Sequence, residues 1–284
     1  MRRSVFAVAA TAAVLGLTVV SPAQSASGGR PTIELTASPQ PVEVVGLPCL
    51  PSSLTLGMTN TGGHGVYVDA ELNASGPVGL ERGVVSSWLP AWDPDHTVTA
   101  RVGVTAPRTA VPGDYTVTVR ADRTRLTVPV RVLPLPGKKE GDNLALGEQA
   151  AASSTHGNFR LCGAVDGDRN PDNWSISTGW NDGTRSVFPD DYSVALGRSV
   201  SIGRIETYTL DSARYPAGRF GIRDFDVQVR TGGAWQTVDR VRGNIAGKVT
   251  STFDPVIADA VRVVVHDSND HAYSRIMELE VYSR

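Results

Sequence analysis

The sequence predicts an all-β protein made of two successive sandwiches. Apolar and polar residues alternate with a period of two over many short runs, which is the pattern of half-buried strands. Turn-forming residues separate these runs, and the 284 residues include 29 glycines and 18 prolines. Beyond the N-terminal apolar segment, no long amphipathic helical pattern interrupts them.

Residues 1–25 have the pattern of a secretory signal peptide. Arg2 and Arg3 form a basic start, an apolar run extends from Val5 to Val20, and small residues from Ala23 to Ser27 offer a cleavage site. A signal anchor is the alternative, but the apolar run is short for a membrane span. The pattern predicts a secreted, extracellular protein without stable membrane insertion.

Residues 31–136 are expected to form an immunoglobulin-like β-sandwich. About seven short strands separated by turns favour this architecture. A Pro-Gly turn in AVPGDYTVTV, from Ala110 to Val119, leads into a strand with Tyr115 near its start. The segment resembles the immunoglobulin-like accessory domains of bacterial glycosidases, in particular the one associated with α-galactosidases. The resemblance implies a spacer domain without chemistry of its own.

Residues 137–142 form the predicted linker, within the proline-, glycine- and charge-rich stretch LPLPGKKEGDN. This composition indicates an exposed boundary that holds the two domains apart. Cys49 and Cys162 are the two cysteines, one in each half. In a secreted chain they form either one disulfide that connects the domains or two buried free thiols, and the sequence leaves both possibilities open.

Residues 142–284 contain seven strand candidates and no helix of useful length, which favours a jelly-roll-like sandwich with long loops at one end. The candidates are DYSVALG, VSIGRIETYTL, DFDVQVRT, AWQTVDRV, KVTSTFDP, AVRVVVHD and RIMELEVY. Function is expected in the loops, because binding residues concentrate there on a rigid scaffold.

An acidic loop, from Gly163 to Trp174 with the sequence GAVDGDRNPDNW, is the most informative stretch. Asp166, Asp168 and Asp172 lie among turn-forming residues, and they repel one another unless a cation neutralises them. Ca²⁺ binds carboxylate and backbone carbonyl oxygens. The spacing is not that of an EF-hand, so a further acid is needed, and Glu278 in the final strand candidate is available. An acidic surface turn capped by its own side chains is the alternative.

Taken together, these motifs resemble the discoidin, or coagulation factor V/VIII type C, superfamily, with its galactose-binding-like fold. Among its branches they are most similar to the bacterial family 32 carbohydrate-binding modules. The resemblance covers Asp142 to Arg284 and includes NLALGEQAAASSTHGNF, AVDGDRNPDNW, FDVQV and SRIMELEVY. It implies that a structural calcium ion lies between the loop and the Glu of the last strand.

The resemblance also implies which residues bind the calcium ion. Asp166 and Asp168 contribute side-chain oxygens and Glu278 a carboxylate, while Gly163 and Met277 contribute backbone carbonyls. The family usually has a Thr two residues before the loop Trp, and we assign that place to Asp172, with one extra residue in the loop. Asp172 is therefore a further metal candidate.

Three loops of the second domain combine aromatic and hydrogen-bonding side chains. Sugars present an apolar face of C–H groups and an edge of hydroxyls, so a sugar site needs a flat aromatic ring and planar polar groups. The resemblance implies a shallow site at the loop end. The expected ligand-binding residues are Trp180 for stacking, Tyr215 as a second stacking candidate, and Asn181, Arg219 and His271 for hydroxyls.

For each of these residues, a loop held in place by its own side chains is the alternative. Arg275 lies three residues before Glu278, and we expect it to pair with the acidic loop. Trp174 is expected in the core.

Enzyme templates are missing from the sequence. It contains no GxSxG, HExxH, P-loop or dinucleotide fingerprint, and its cysteines and histidines show no zinc spacing. No catalytic residues are assigned. The formal net charge of −2 gives no reason to expect nucleic acid as a partner.

We predict a secreted, non-catalytic protein that binds a glycan or polysaccharide through loops of a calcium-stabilised domain. Two alternatives stay open. One is an extracellular adhesion or scaffold protein with a protein or cell-surface partner, and the other is a glycoside hydrolase or lyase.

Overall fold

The computed structural model describes residues 32–284, apart from 92, 94, 95 and 176. The predicted signal peptide lies outside the described residues. Strands dominate the described chain, and its helical segments are α1 (Ala217–Phe220) and the 3₁₀ turns Leu161–Ala164 and Pro171–Asn173. The all-β prediction is confirmed. Within the described part of the chain, no helix has the length and apolar character needed to span a membrane.

The first nine strands form the first domain. They are β1 (Ile33–Ser38), β2 (Val42–Val45), β3 (Ser52–Asn60), β4 (Val66–Ala74), β5 (Gly79–Leu80), β6 (Val84–Leu89), β7 (Val98–Thr105), β8 (Gly113–Ala121) and β9 (Thr124–Leu133). One sheet has the order β1-β3-β7-β5 and the other β2-β9-β8-β4-β6.

Alternate residues of these strands are buried between the two sheets, as the period-two pattern predicts. Leu54 and Leu56 of β3 and Val117 and Val119 of β8 belong to one shared core. The Tyr115 hydroxyl donates a hydrogen bond to the Val111 carbonyl at 2.9 Å. This bond back to a residue just upstream resembles the tyrosine corner of immunoglobulin-like sandwiches.

The remaining strands form the second domain. They are β10 (Gln149–Ala152), β11 (Trp180–Asn181), β12 (Asp190–Thr209), β13 (Ile222–Thr231), β14 (Ala234–Val241), β15 (Lys248–Ser268) and β16 (Arg275–Tyr282). In two places, two predicted strands belong to one long strand. DYSVALG and VSIGRIETYTL correspond to β12, and KVTSTFDP and AVRVVVHD correspond to β15. Their ladder continues past irregularities between Ala195 and Val200 and between Ile202 and Arg204.

The β12–β15 pair contributes to both layers of the second sandwich. At one end, β10 and β13 flank it, and at the other end β16 pairs with β12. Residues from both ends meet in a single core that includes Tyr192, Phe225, Ile205 and Leu279. Because β16 carries Glu278 and its neighbours, this arrangement brings the last strand beside loops that come much earlier in the chain.

The two domains are joined directly. Cys49 and Cys162 form a disulfide, which decides between the two possibilities that the sequence left open. The Cys49 N–H donates to the Gly147 carbonyl at 2.9 Å, and the Gly147 N–H donates to the Val165 carbonyl at 2.8 Å. The expectation that the linker holds the domains apart is wrong, because covalent and hydrogen-bonded contacts away from the linker connect them.

An ion pair adds to this junction. Arg108 of the first domain pairs with Glu148 of the second, whose side chain is 4% exposed. Burial raises the pKa of the Glu148 carboxyl even though Arg108 opposes the shift. The buried Glu148 carboxylate has lost hydration, and its ion pair with Arg108 compensates for part of that loss.

Replacing Arg108 by Leu is expected to lower the free energy of unfolding by about 3 kcal/mol, because it leaves a buried carboxylate without its partner. Chemical denaturation of the full chain measures this loss. The double variant Arg108→Leu/Glu148→Gln should recover most of it, since the buried charge is then removed as well. If the double variant lost as much free energy of unfolding as Arg108→Leu and Glu148→Gln lose together, the pairing would be contradicted.

Candidate functional site

The acidic loop closes through a close approach of two glycines. The Gly179 N–H donates to the Gly163 carbonyl at 2.8 Å. A Cβ atom added to Gly163 would lie 2.1 Å from the Gly179 carbonyl oxygen, so only glycine fits there. This contact brings both ends of the segment together and turns its interior oxygens toward one another.

Thr178 lies at the centre of that cluster of oxygens. Its buried hydroxyl oxygen is 3.0 Å from the Gly163 carbonyl, 2.9 Å from Asp166 Oδ1 and 3.2 Å from the Asp168 carbonyl. A hydroxyl has one hydrogen and can donate it to only one acceptor at a time. The cluster therefore contains more acceptors than donors.

Glu278 adds a second carboxylate to this region. The residue is fully buried. Its Oε1 accepts a hydrogen bond from the Gly167 N–H at 3.1 Å, whereas Oε2 has no partner among the described residues. Burial, followed by the negative charge of Asp166, raises the pKa of the Glu278 carboxyl to about 9. Without a cation, the ionised carboxylate is destabilised at this position.

These oxygens fit a hard cation better than a transition metal. Among the described residues, no group of three His, Cys, Asp or Glu side chains forms a metal site by itself. The available atoms are carboxylate, hydroxyl and backbone carbonyl oxygens, which is the ligand chemistry of Ca²⁺. Met277 lies at the register shift between β12 and β16, where it has no partner in the ladder.

The loop also caps itself. Asp166 Oδ1 accepts from the Asp168 N–H at 3.0 Å, Asp168 Oδ1 from the Asn170 N–H at 2.8 Å, and Asn170 Oδ1 from the Asp172 N–H at 3.1 Å. Asp168 Oδ2 accepts from the Asn173 amide at 2.7 Å. The Asp168 carboxylate is thus used within the loop, and its backbone carbonyl, rather than its side chain, approaches Thr178.

Asp172 is not part of the oxygen cluster, so its assignment as a metal candidate is wrong. Its side chain is exposed on the 3₁₀ turn Pro171–Asn173. The Thr expected two residues before a Trp is Thr178, which precedes Trp180, so Trp174 is not the reference residue for this spacing. The spacing Thr178–Gly179–Trp180 was visible in the sequence, and the correct choice of Trp would have found it.

Arg169 fastens the acidic loop to the sheet. Its Nε donates to Glu280 Oε1 at 2.6 Å, and its guanidinium lies 5.0 Å from the centre of the Tyr208 ring. Glu280 and Tyr208 belong to β16 and β12. The loop is thus anchored on the strand that carries Glu278.

Trp180 does not stack on a ligand, so this prediction is wrong. The residue is fully buried in the core of the second domain, with its ring centre 5.1 Å from that of Tyr192. Its Nε1–H donates to the Ser154 carbonyl and the Thr155 hydroxyl, both at 3.1 Å. A large apolar ring whose one polar group is satisfied internally is stable in a core and unavailable to a sugar.

An open cavity of about 230 Å³ lies at the loop end of the second domain, where the sequence predicts a sugar site, and is called the sugar cavity below after that prediction. Rings line much of it. Phe159 and Trp174 are in contact, with centroids 4.5 Å apart, and Tyr215 and Phe220 form a second, edge-to-face pair at 5.4 Å. Trp174 is only partly buried, so the expectation that it belongs to the core is wrong.

Polar groups also line this cavity. His156 Nδ1 accepts from the Asn158 N–H at 3.3 Å, which puts the proton of the neutral ring on Nε2. The main-chain N–H of His156 donates to the Asn181 carbonyl at 2.9 Å. Asn181 and Tyr215, both named from the sequence, line the cavity together with Arg275 and Tyr273.

Arg275 pairs with Asp270 at 2.8 Å and not with the acidic loop. It also donates to the Phe220 carbonyl at 2.9 Å. The expected pairing is wrong, because the Arg275 guanidinium is engaged by Asp270 and the Phe220 carbonyl at the wall of the sugar cavity.

Arg219 and His271 do not line the cavity, which contradicts their assignment to hydroxyl binding. Arg219 is exposed, with its guanidinium 5.1 Å from the centre of the Phe220 ring. His271 is exposed and its Nδ1 is hydrogen-bonded to Asp267 at 2.9 Å. Sequence reasoning missed His156 and Phe159 because the segment that carries them lies outside the three aromatic loops.

Replacing Trp180 by Ala is expected to destabilise the second domain by about 3–5 kcal/mol, because it opens a large cavity in the core. Replacing the partly exposed Trp174 by Ala should cost clearly less. Chemical denaturation of both variants gives the comparison. Equal losses would contradict the assignment of Trp180 to the core and Trp174 to the cavity wall.

Comparison with known proteins identifies both halves of the chain. Residues 163–263 match the family model of the F5/F8 type C domain described as NedA-like, galactose-binding domain. Residues 50–124 match the model described as NPCBM-associated, NEW3 domain of alpha-galactosidase. No curated protein matches the chain.

Solved structures with similarity to the chain include three bacterial modules. The chitosan-binding module 1 of a chitosanase/glucanase from Paenibacillus sp. IK-5 is 27% identical, with 50% of this chain and 98% of that chain covered and a TM-score of 0.40. The family 32 module of NanJ from C. perfringens, in complex with galactose, is 22% identical, with 47% and 92% covered and a TM-score of 0.39.

A fucose-binding module from Streptococcus pneumoniae is 21% identical, with 52% and 100% covered and a TM-score of 0.43. The two family models confirm both resemblances that the sequence motifs indicated. The chain carries a galactose-binding-like domain of the F5/F8 type C family in its C-terminal half, preceded by a NEW3 domain.

Proposed function

We propose that this chain is a secreted, non-catalytic glycan-binding protein whose second domain binds a sugar in the sugar cavity. The observation that carries the proposal is the combination, in one open cavity, of paired aromatic rings with an imidazole, an amide and a guanidinium. Rings offer a flat apolar surface for the C–H face of a sugar, and the planar polar groups suit its hydroxyls. The match to a galactose-binding domain model supports the same ligand class.

The composition of the cavity wall supports binding without catalysis. Glycoside hydrolysis generally uses a pair of Asp or Glu carboxylates on the two sides of the scissile bond. Among the described residues that line the sugar cavity, none is an Asp or a Glu. The nearby Asp270 is engaged by Arg275.

Calcium is the second part of the proposal. Asp166, Glu278 and the carbonyls of Gly163 and Asp168 would hold the ion, with Thr178 beside them. A bound Ca²⁺ would coordinate the surplus acceptor oxygens and the Glu278 oxygen that has no hydrogen-bond partner among the described residues. The role is structural, since the oxygen cluster and the sugar cavity are separate.

The two sites are nevertheless connected through one segment. A Cβ atom added to Gly179 would lie 2.4 Å from the Trp174 ring, so this ring packs directly on the glycine that closes the acidic loop. We expect Ca²⁺ to order the wall of the sugar cavity by holding that segment in place.

The proposal is tested by a glycan-array screen of the full chain without its signal peptide, in Ca²⁺ and again in chelator. Binding to one class of sugar, stronger in Ca²⁺, is expected. A blank array in both conditions, from protein verified as folded, would contradict the proposal and favour a protein or cell-surface partner.

Ca²⁺ is expected to raise the melting temperature of the wild-type chain, since a ligand that binds only the folded state stabilises it by about 2.7 kcal/mol at a hundredfold excess over Kd. Replacing Glu278 by Gln should abolish this rise. The variant should also melt higher than wild type in chelator at neutral pH, because the raised pKa of Glu278 forces its carboxyl to take up a proton on folding, and Gln carries no such cost. Differential scanning calorimetry measures both effects.

Asp172→Asn is the matched control, because Asp172 is an acid of the same loop that lies outside the oxygen cluster. It should keep the Ca²⁺ response of the wild type. Identical wild-type melting in Ca²⁺ and in chelator would remove the metal from the proposal. A response lost in Asp172→Asn but kept in Glu278→Gln would show that the ligand set is wrong.

Trp174→Ala is expected to weaken glycan binding about tenfold, which corresponds to the loss of roughly 1.4 kcal/mol of stacking. His156→Ala should weaken it similarly by removing a hydrogen-bonding group. Isothermal titration calorimetry with the best array ligand measures the change. Trp88→Ala, which removes a 59% exposed Trp from the first domain, is the control and should bind like the wild type. Unchanged binding in both Trp174→Ala and His156→Ala would exclude this cavity.

A further inference from the structure

We infer that the sugar cavity is one end of a longer groove whose other end is built partly by the first domain, so that the ligand is an extended oligosaccharide chain. The inference rests on the proposed glycan-binding function and deepens it. A site confined to the sugar cavity would bind one terminal sugar unit. The groove adds contacts for the units that follow.

Shared residues show that three depressions of the surface adjoin one another. Phe159 lines the sugar cavity and also a neighbouring depression of about 210 Å³. Arg160, the next residue, lines that depression and a third one of about 360 Å³ at the domain junction. The three depressions therefore follow one another along the surface, with Phe159 between the first and the second and Arg160 between the second and the third.

The third depression, called the junction cleft below, has walls from both domains. Pro48, Pro51, Leu80 and Glu81 come from the first domain, and Arg160 and Leu161 from the second. Apolar side chains predominate, with charged groups among them. This is the pattern that a sugar chain requires, because its units alternate apolar C–H faces with hydroxyl edges.

Glu81 is positioned to receive sugar hydroxyls. Its Oε2 accepts a hydrogen bond from the Gly103 N–H at 3.1 Å, which holds the carboxylate in place. The side chain is 59% exposed, and its contact with Arg82 is long, at 3.4 Å. An ionised carboxylate accepts several hydrogen bonds, so capacity remains for a ligand.

The size of the depressions favours several sugar units over one. Pockets for small ligands typically have volumes of about 300–1,000 Å³, and the sugar cavity, at about 230 Å³, lies below this range. The three depressions together lie within it. An occupant that continues past Phe159 uses space that a single sugar leaves empty.

The junction is also held in a defined geometry. The Cys49–Cys162 disulfide is part of the wall of the junction cleft, and Arg108 and Glu148 pair across the same pair of domains. A site shared by two domains loses affinity when each binding event must first align them. The covalent connection removes that cost for a ligand that contacts both domains.

The test uses galactose and a length series of galactan oligosaccharides as probes, titrated calorimetrically into the full chain without its signal peptide. Affinity is expected to increase about tenfold from galactose to the longer oligosaccharides. Two variants change the junction cleft only. Glu81→Ala removes a hydrogen-bond acceptor, and Pro51→Trp fills the cleft with a bulky side chain.

Both variants are expected to lose the gain with length while they keep the wild-type affinity for galactose. Glu71→Ala is the matched control, because Glu71 is an exposed acid of the same domain on β4, away from the cleft. It should retain the full gain. Thermal melting confirms that each variant is folded, and Glu81→Ala provides the test if Pro51→Trp is not.

Equal affinity for galactose and for every longer probe would overturn the inference and leave the proposed function intact. A gain with length that persists in both cleft variants would overturn the role of the first domain. Absence of binding to galactose and to the whole series would contradict the galactose-type ligand on which this inference rests.

Discussion

The contact between Gly163 and Gly179 is the constraint on which the loop end of the second domain depends. The backbones meet at a hydrogen bond of 2.8 Å, with no space for a side chain on Gly163. On one side of this contact, Thr178 and the acidic loop direct their oxygens inward. On the other side, the Trp174 ring rests on Gly179 and forms part of the sugar cavity. One close approach thus sets both the proposed cation site and one wall of the proposed ligand site.

The 3₁₀ turn that contains Gly163 also connects the two domains. Cys162, its second residue, forms the disulfide with Cys49, and the Leu161 carbonyl accepts a hydrogen bond from the core residue Tyr192 at 2.8 Å. Arg160, just before the turn, faces the junction cleft. The domain junction, the acidic loop and the hydrophobic core are therefore held by neighbouring residues.

Electrostatics explains why the two interpretations of the acidic loop are compatible. Side chains of Asp166, Asp168 and Asn170 cap backbone N–H groups, as a self-contained surface turn would. This capping does not provide a partner for Glu278 Oε2, nor does it neutralise the carboxylate of Asp166 beside it. The loop is locally satisfied in its backbone and still holds more oxygen acceptors than donors in its interior, which is the condition under which a bound cation stabilises a fold.

The sequence by itself determined the all-β class, the two-sandwich organisation, the acidic loop and its partner Glu278, since alternation, turn residues and short motifs are local signals. The sequence also pointed to Asn181 and Tyr215, which line the sugar cavity, because they lie in loops with the right residue types. Only the tertiary structure decided that Trp180 is buried, that Thr178 lies among the loop oxygens, and that Asp172 faces solvent. It also decided that His156 and Phe159 join Trp174 at the sugar cavity and that Cys49 meets Cys162. The physical reason is that burial and the meeting of distant segments depend on how strands pair across the sandwich, and residue type and spacing do not specify that pairing.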